Sequence, residues 1–462
     1  MTVKIAILAL FILVTVGVGI YSRRRVHNIN DFFLGGRNMG PWITAFAYGT
    51  SYFSAVVFVG YAGKFGWGFG LSATWIGIGN AVIGCLLAWL LMAKKTRIMT
   101  HKLNASTMPE FFAARYDSVG MKIVSAVVIF VFLVPYTASI YKGLGYMFES
   151  AFGLPMNTII LIMTALTGLY LILGGYVATA LNDLIQGIIM IGGSIMMVVY
   201  ILTHPDVGGL SQGIARLSSI ESSLGSAFGP APLNLGAVVL LTSLGTWGLP
   251  QMLHKFYAVK DERAIKRGTL ISTLFALVIG GSAYFAGSFG RVMLDNQMPN
   301  NNVDMIVPVM LEKALPDVLM SVIIVLMLSA SMSTLSSLVL VSSSVISIDL
   351  VKGFIKPKID DRKNMLLMRF FCLIFVVMSY FMAIWQNPTI VALMALSWGV
   401  ISGMFIAPYL YGLLWKGTTR IGAWSGFFTG FAAMAIGLAV ELPKVGFDIG
   451  KVFMPGIGAI SM

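Results

Sequence analysis

The chain has 462 residues, of which 58% are hydrophobic and 11% charged, with a mean hydropathy of +0.88. A water-soluble globule carries roughly 25% charged residues, so composition excludes that class and gives a polytopic, all-α membrane protein. The net charge of +13 would suit an anionic partner, but its placement in short loops assigns it to membrane topology and lipid headgroups, with no nucleic acid.

Apolar runs long enough to cross about 30 Å of hydrocarbon predict spans at 3–21, 41–63, 71–93, 121–147, 156–173 and 176–202. Further spans follow at 235–253, 268–290, 317–348, 366–386, 389–415 and 420–440. The first is read as a retained span, because no basic region precedes its apolar stretch and no small-residue cleavage site follows. A thirteenth run starts at Val452 and meets the end at Met462, so the natural protein is expected to continue.

With the N-terminus outside, the loops 22–40, 94–122, 254–267, 349–369 and 416–420 fall in the cytoplasm and hold 23 of the 31 Lys and Arg. The positive-inside rule therefore supports a multi-pass plasma-membrane protein in that orientation. Lys142 is expected to snorkel to the interface. His27, His101, His204 and His254 are expected in loops or at span ends. Cys85 and Cys372 are far apart, and no Cys/His cluster, nucleotide loop or catalytic triad is present, so neither a disulfide, a structural metal, a cofactor nor an enzyme is expected.

The spans of 41–202 and of 235–415 number five each, so the second set starts from the opposite side and two inverted repeats are possible. The first span of each set is interrupted, at Gly49-Thr50-Ser51-Tyr52-Phe53-Ser54 and at Gly245-Thr246-Trp247-Gly248-Leu249-Pro250. Broken helices in matching positions point to a midplane binding site. Asp183 is read as the lone carboxylate within a membrane-length apolar run, where a charge costs roughly 2.5–3.5 kcal/mol and signals function. On the span 317–348, Ala330, Ser333, Thr334 and Ser337 stand at i, i+3, i+4 and i+7 and present hydroxyls on one face. Together with Asp183 that face suits sodium, a hard cation that takes hydroxyls and carbonyls in place of water.

Phe33-Leu34-Gly35-Gly36-Arg37, Gly174-Gly175-Tyr176 leading to Asn182-Asp183, Gly248-Leu249-Pro250-Gln251, and Ala330-Ser331-Met332-Ser333-Thr334-Leu335-Ser336 stand in one order along residues 5–440. In this set the chain resembles the sodium:solute symporter family, which includes proline and pantothenate permeases and sodium–glucose cotransporters. The resemblance implies a LeuT-type five-plus-five inverted repeat (41–202 and 235–415), one extra N-terminal helix (3–21) and C-terminal helices over 420–462, all in a single domain.

It also implies a sodium site made by backbone oxygens of Thr50 and Phe53, the carbonyl of Ala330 and the side chains of Ser333 and Thr334. A second sodium, found in some members, would fall to Asp183, Ser333, Ser336 and Ser337. The implied solute pocket involves Ser51, Tyr52, Ser54, Tyr136, Thr246 and Trp247. The proline branch has an aspartate where Tyr52 stands, and a tryptophan and a tyrosine where Thr242 and Thr246 stand, which argues against proline. The polar and charged pocket side chains of the sugar branch are absent from both breaks.

The expected function is sodium-coupled uptake of a small organic solute, an amino acid or small carboxylate by preference, carried out by a monomer through alternating access. The alternatives are a proton-coupled symporter using Asp183, a sodium–sugar symporter, a facilitative channel, and a transporter-like sensor.

Overall fold

A computed structural model describes residues 2–23, 33–385 and 389–444. His27, the arginines Arg24 and Arg25 of the expected loop 22–40, and the run from Val452 lie outside them. Among the described residues all regular elements are helices, with one isolated bridge between Met39 and Val259. Among the described residues, eight helices are long and apolar enough to cross a membrane, or nine when the pair Pro232–Gly248 and Pro250–Ala258, bent by 50°, is taken as one span.

The principal helices are α1 (Thr2–Arg23), α2 (Pro41–Tyr52), α3 (56–69), α4 (74–102), α5 (Val119–Phe152) and α6 (Met156–Thr203). After these come α7 (Pro232–Leu244), α8 (Pro250–Ala258), α9 (Glu262–Ser288), α10 (Asp317–Ser344), α11 (Asp361–Ile384), α12 (Ile390–Leu414) and α13 (Arg420–Lys444). Proline marks several starts, at Pro41, Pro232 and Pro250, because its missing N–H is not needed in the first turn.

α6 covers two of the expected spans. Ile160 packs near Gly145 late in α5, Tyr176 reaches His254 in α8, and Asp206, just past Thr203, pairs with Lys313 at 2.8 Å. Lys313 precedes Asp317, which pairs with Lys4 at 2.9 Å, and Lys4 also donates to the Ala151 carbonyl just before α6 begins, so the start and the end of α6 share the Lys4 face of the bundle. The run therefore crosses twice. In the loop on that face, the hydrogen bond from Lys313 holds the Asp206 carboxyl below its ordinary range.

The opposite face is built from the five basic loops. The Met39 amide donates to Ala258, Arg97 Nε donates to Val259 at 3.1 Å, Arg115 Nε to Gly412 at 2.9 Å, and Lys122 pairs with Asp349 at 3.4 Å. Their side chains thus staple the loops to one another, and the cationic charge gathers on one side of the molecule.

Three expectations change here. Lys142 is buried and donates to the Trp385 carbonyl at 3.2 Å rather than reaching an interface, because α5 is covered by other helices along its final turns. His254 is buried between Phe33 and Tyr176, with ring centroids 4.3 and 4.9 Å away, since α8 continues to Ala258 where a loop was expected from 254. Asp183 has company among buried carboxylates: Asp304 caps the amide of Ile390 at 3.0 Å, and Asp349 accepts from Thr107 at 2.8 Å.

Close helix approach rests on glycine. A Cβ at Gly77 of α4 would collide with the Gly280 carbonyl of α9, and Gly66 meets Gly287 in the same way. Backbones that touch like this supply the packing that water cannot drive inside a bilayer. Gly77→Ala should therefore destabilise the fold by about 1–3 kcal/mol through overpacking. The check is thermal unfolding in detergent beside Gly17→Ala, where nothing lies within 4 Å; equal melting of the two variants would contradict the account.

Candidate functional site

Both interruptions read from the sequence are present. α2 ends at Tyr52, Phe53 is extended at φ −110° and ψ 121°, and helix resumes with wider turns over Val56–Tyr61. The second interruption is built similarly: a tight turn over Gly245–Gly248, then extended Leu249 at φ −82° and ψ 123°, then Pro250 starting α8. Serine 402 donates to the Gly245 carbonyl, holding that turn against α12.

A broken helix leaves backbone groups without partners, and inside a membrane each must find one. α10 provides them. Ser331 Oγ accepts the Ala55 amide at 3.1 Å, and Thr334 Oγ1 lies 3.2 Å from the Thr50 carbonyl and 3.4 Å from that of Ser51. Thr334 also bonds the Ala330 carbonyl at 3.1 Å, and Ser333 Oγ donates to Thr50 Oγ1 at 2.7 Å. Thr50, Ala330, Ser333 and Thr334 are thus gathered in one buried cluster of hard oxygens. Phe53 sits in the break beside it. That set fits a sodium ion.

The residues of the second expected sodium position are arranged differently. Asp183 is 0% exposed, one helical turn before Gly187, where a Cβ would strike Phe46 and Thr50 of α2. Neither carboxylate oxygen has a hydrogen bond of normal geometry. The nearest charge is the ammonium of Lys255, 1% exposed and 3.9 Å from Asp183 Oδ2. Lys255 Nζ also donates to Ser337 Oγ at 2.9 Å and stands 5.1 Å from the centre of the Tyr176 ring. Ser337 in turn shares a 3.0 Å hydrogen bond with Ser51, while Ser336 turns its hydroxyl onto the Ser333 carbonyl of its own helix.

Two unit charges 4 Å apart interact by about 4 kcal/mol at an effective dielectric constant of about 20. The lysine thus meets the need for a counter-charge to Asp183, and a sodium bound to Asp183 and Ser337 would be repelled by a similar amount. Lys255 was not recognisable in the sequence, where it falls at the edge of a basic loop with Lys260 and Arg263. The signal was Pro250, whose position at a helix start carries α8, and Lys255 with it, into the bundle.

The candidate solute residues separate into groups. Ser51 belongs with Ser337 and Lys255. The polar atoms of Tyr52, Thr246 and Trp247 are spent on backbone carbonyls: Tyr52 on Thr242 at 2.7 Å, Thr246 on Ser243 at 2.8 Å, and Trp247 on Ile83 at 3.1 Å. Ser54 Oγ accepts the Val56 amide at 3.3 Å. Tyr136 stands apart, edge-on to Trp398 with centroids 5.8 Å apart. Trp398 Nε1 and the Tyr61 hydroxyl are buried donors without a hydrogen bond. Neither residue was singled out in the sequence, because a lone aromatic in an apolar span carries no periodic signal.

The sodium:solute symporter family model matches residues 32–430. The chain belongs to the sodium:solute symporter family. The osmoregulated proline transporter OpuE of Bacillus subtilis is 30% identical over 456 residues, covering 96% of this chain and 90% of that one. A sodium/proline symporter of Staphylococcus aureus is 28% identical over 447 residues, covering 94% and 85%.

Among solved structures, a Na+-coupled sialic acid symporter in its substrate-bound outward-open state superposes with a TM-score of 0.82 at 19% identity, covering 99% of this chain and 95% of that one. The nucleobase-cation-symport-1 transporter Mhp1 gives 0.55 at 15% identity, covering 93% of each. These likenesses give the fold, which is the LeuT type. As a member of a transporter family this symporter is no enzyme, and sodium is the coupling ion that family membership implies.

Removing the Thr334 hydroxyl should raise the sodium concentration for half-maximal transport about tenfold, the equivalent of 1.4 kcal/mol. Sodium activation curves of Thr334→Ala and wild type in proteoliposomes provide the check. Overlapping curves would remove Thr334 from the sodium site.

Proposed function

We propose that this symporter takes up a small amino acid or a similar small carboxylate, driven by sodium bound at Thr50, Phe53, Ala330, Ser333 and Thr334. The observation that carries the coupling is the docking of the first break onto α10. A sodium ion shared between Thr50 and Thr334 binds both elements at once, so its arrival and loss change how the broken helix sits. The solute side rests on donors. The Tyr61 hydroxyl and the Trp398 indole N–H, beside Tyr136, are buried and unpaired, which suits the acceptor oxygens of a carboxylate. Their ring faces suit an adjacent ammonium.

The basic face lies in the cytoplasm by the positive-inside rule, which puts the N-terminus outside. Each net charge moved inward gains roughly 2.3 kcal/mol per 100 mV, close to a 50-fold accumulation. A monomer is the working unit of this reading. The halves 41–202 and 235–415 act as the two repeats, with the interrupted spans as the moving contact between them.

Proline is the first solute to test, because OpuE and the Staphylococcus aureus symporter are named for it. Tyr52, Thr242 and Thr246 favour a different member of the same class, since the Tyr52 hydroxyl is bound to Thr242 and cannot act as a carboxylate would. Reconstituted protein given an inward sodium gradient should accumulate at least one compound from a panel of amino acids and short monocarboxylates, and lose that uptake in choline. Accumulation of a sugar alone, or uptake indifferent to sodium, would contradict the reading.

A further inference from the structure

The second cation position expected of this chain is not an open one. Its anionic ligand, Asp183, faces the Lys255 ammonium at 3.9 Å, and its hydroxyl ligand, Ser337, accepts a 2.9 Å hydrogen bond from the same nitrogen. The ring of Tyr176 lies 5.1 Å from that nitrogen on another side. A carboxylate at ion-pair distance, a hydroxyl that accepts one N–H and an aromatic face thus surround the ammonium group. All these groups are buried, and they come from three elements: Asp183 and Tyr176 from α6, Lys255 from α8, and Ser337 from α10. Ser336, which a second sodium would also need, is turned onto its own helix.

From this arrangement we infer that Lys255 is a tethered cation standing where a second sodium would sit, so that one sodium moves with each solute. The inference rests on the sodium-coupled reading above and deepens it by fixing the ion count. A tethered cation differs from a sodium ion in one respect that matters for transport. It links α8 to α6 and α10 as an ion would, but it is never released, so it carries no charge across the membrane. It also touches the first site: Ser337 hydrogen-bonds Ser51, whose carbonyl faces Thr334. The lysine thereby holds a residue of the first break in place whether or not sodium is bound.

Sodium-22 binding to purified protein without solute counts the sites regardless of what is transported. The wild type should bind one sodium. Lys255→Ala, which frees both Asp183 and Ser337, should bind two, and the sodium-to-solute flux ratio in proteoliposomes should double. Adding Asp183→Ala to Lys255→Ala should return the count to one. Should Lys255→Ala fail to fold, Lys255→Ser fills part of the space, offers a further hydroxyl, and should also bind two.

Two sodium ions bound by the wild type would overturn the inference while leaving sodium-coupled uptake intact. A count that stays at one in the folded variants, with only the turnover altered, would also overturn it and make the pair a gate. A wild type that binds no sodium would sink the coupling reading itself.

Discussion

The arrangement depends on the contact between a helix that stops and a helix that does not. α2 gives up its hydrogen bonding at Phe53, which in hydrocarbon would leave exposed peptide groups, each costing several kcal/mol. α10 runs unbroken from Asp317 to Ser344 and meets those groups with side-chain hydroxyls. The break persists because Ser331 and Thr334 supply what the missing helical turn does not. The same hydroxyls and carbonyls are hard oxygen ligands, so the device that permits the break is also the device that can bind sodium. Structure and ion chemistry share one set of atoms.

Around that contact the molecule is arranged in tiers of polarity. Uncharged hydroxyls meet the first break. Beyond them, the Lys255–Asp183 pair, which joins α8 to α6, lies deep enough that each charge needs the other. At the basic face, arginine and lysine side chains bind carbonyls at helix ends and tie together loops separated by up to 300 residues in sequence. Tyr136 and Trp398 meet edge-on, and neither is among the partners of the Lys255–Asp183 pair. A solute beside Tyr61, Tyr136 and Trp398 would meet ring faces and two unpaired donors, and no permanent charge among those three side chains.

Much of this was legible in the sequence because it is written in residue types with strong local preferences. Glycine marked both interruptions, with serine in the first and proline in the second, and the i, i+3, i+4 spacing of Ala330, Ser333 and Thr334 located the oxygen face. The two spans within α6 were readable from hydropathy even though one helix, Met156–Thr203, covers both. What escaped was set by tertiary packing. Lys255, Lys142 and His254 were read as boundary residues because polar side chains near the end of an apolar run ordinarily reach water; in the fold, neighbouring helices extend past them. Asp304 and Asp349 escaped for the same reason. Tyr61 and Trp398, like Trp89, Tyr141 and Tyr176, have buried polar atoms without a hydrogen bond, a property that no sequence displays.

The central claim is that sodium clamps the first break to α10, and backbone hydrogen exchange over residues 46–57 of the wild type in sodium and in choline tests it most directly. The account predicts slower exchange of the amides flanking the break, Thr50 to Val57, in sodium, with peptides from α13 unchanged. Identical exchange around the break in the two cations would contradict it.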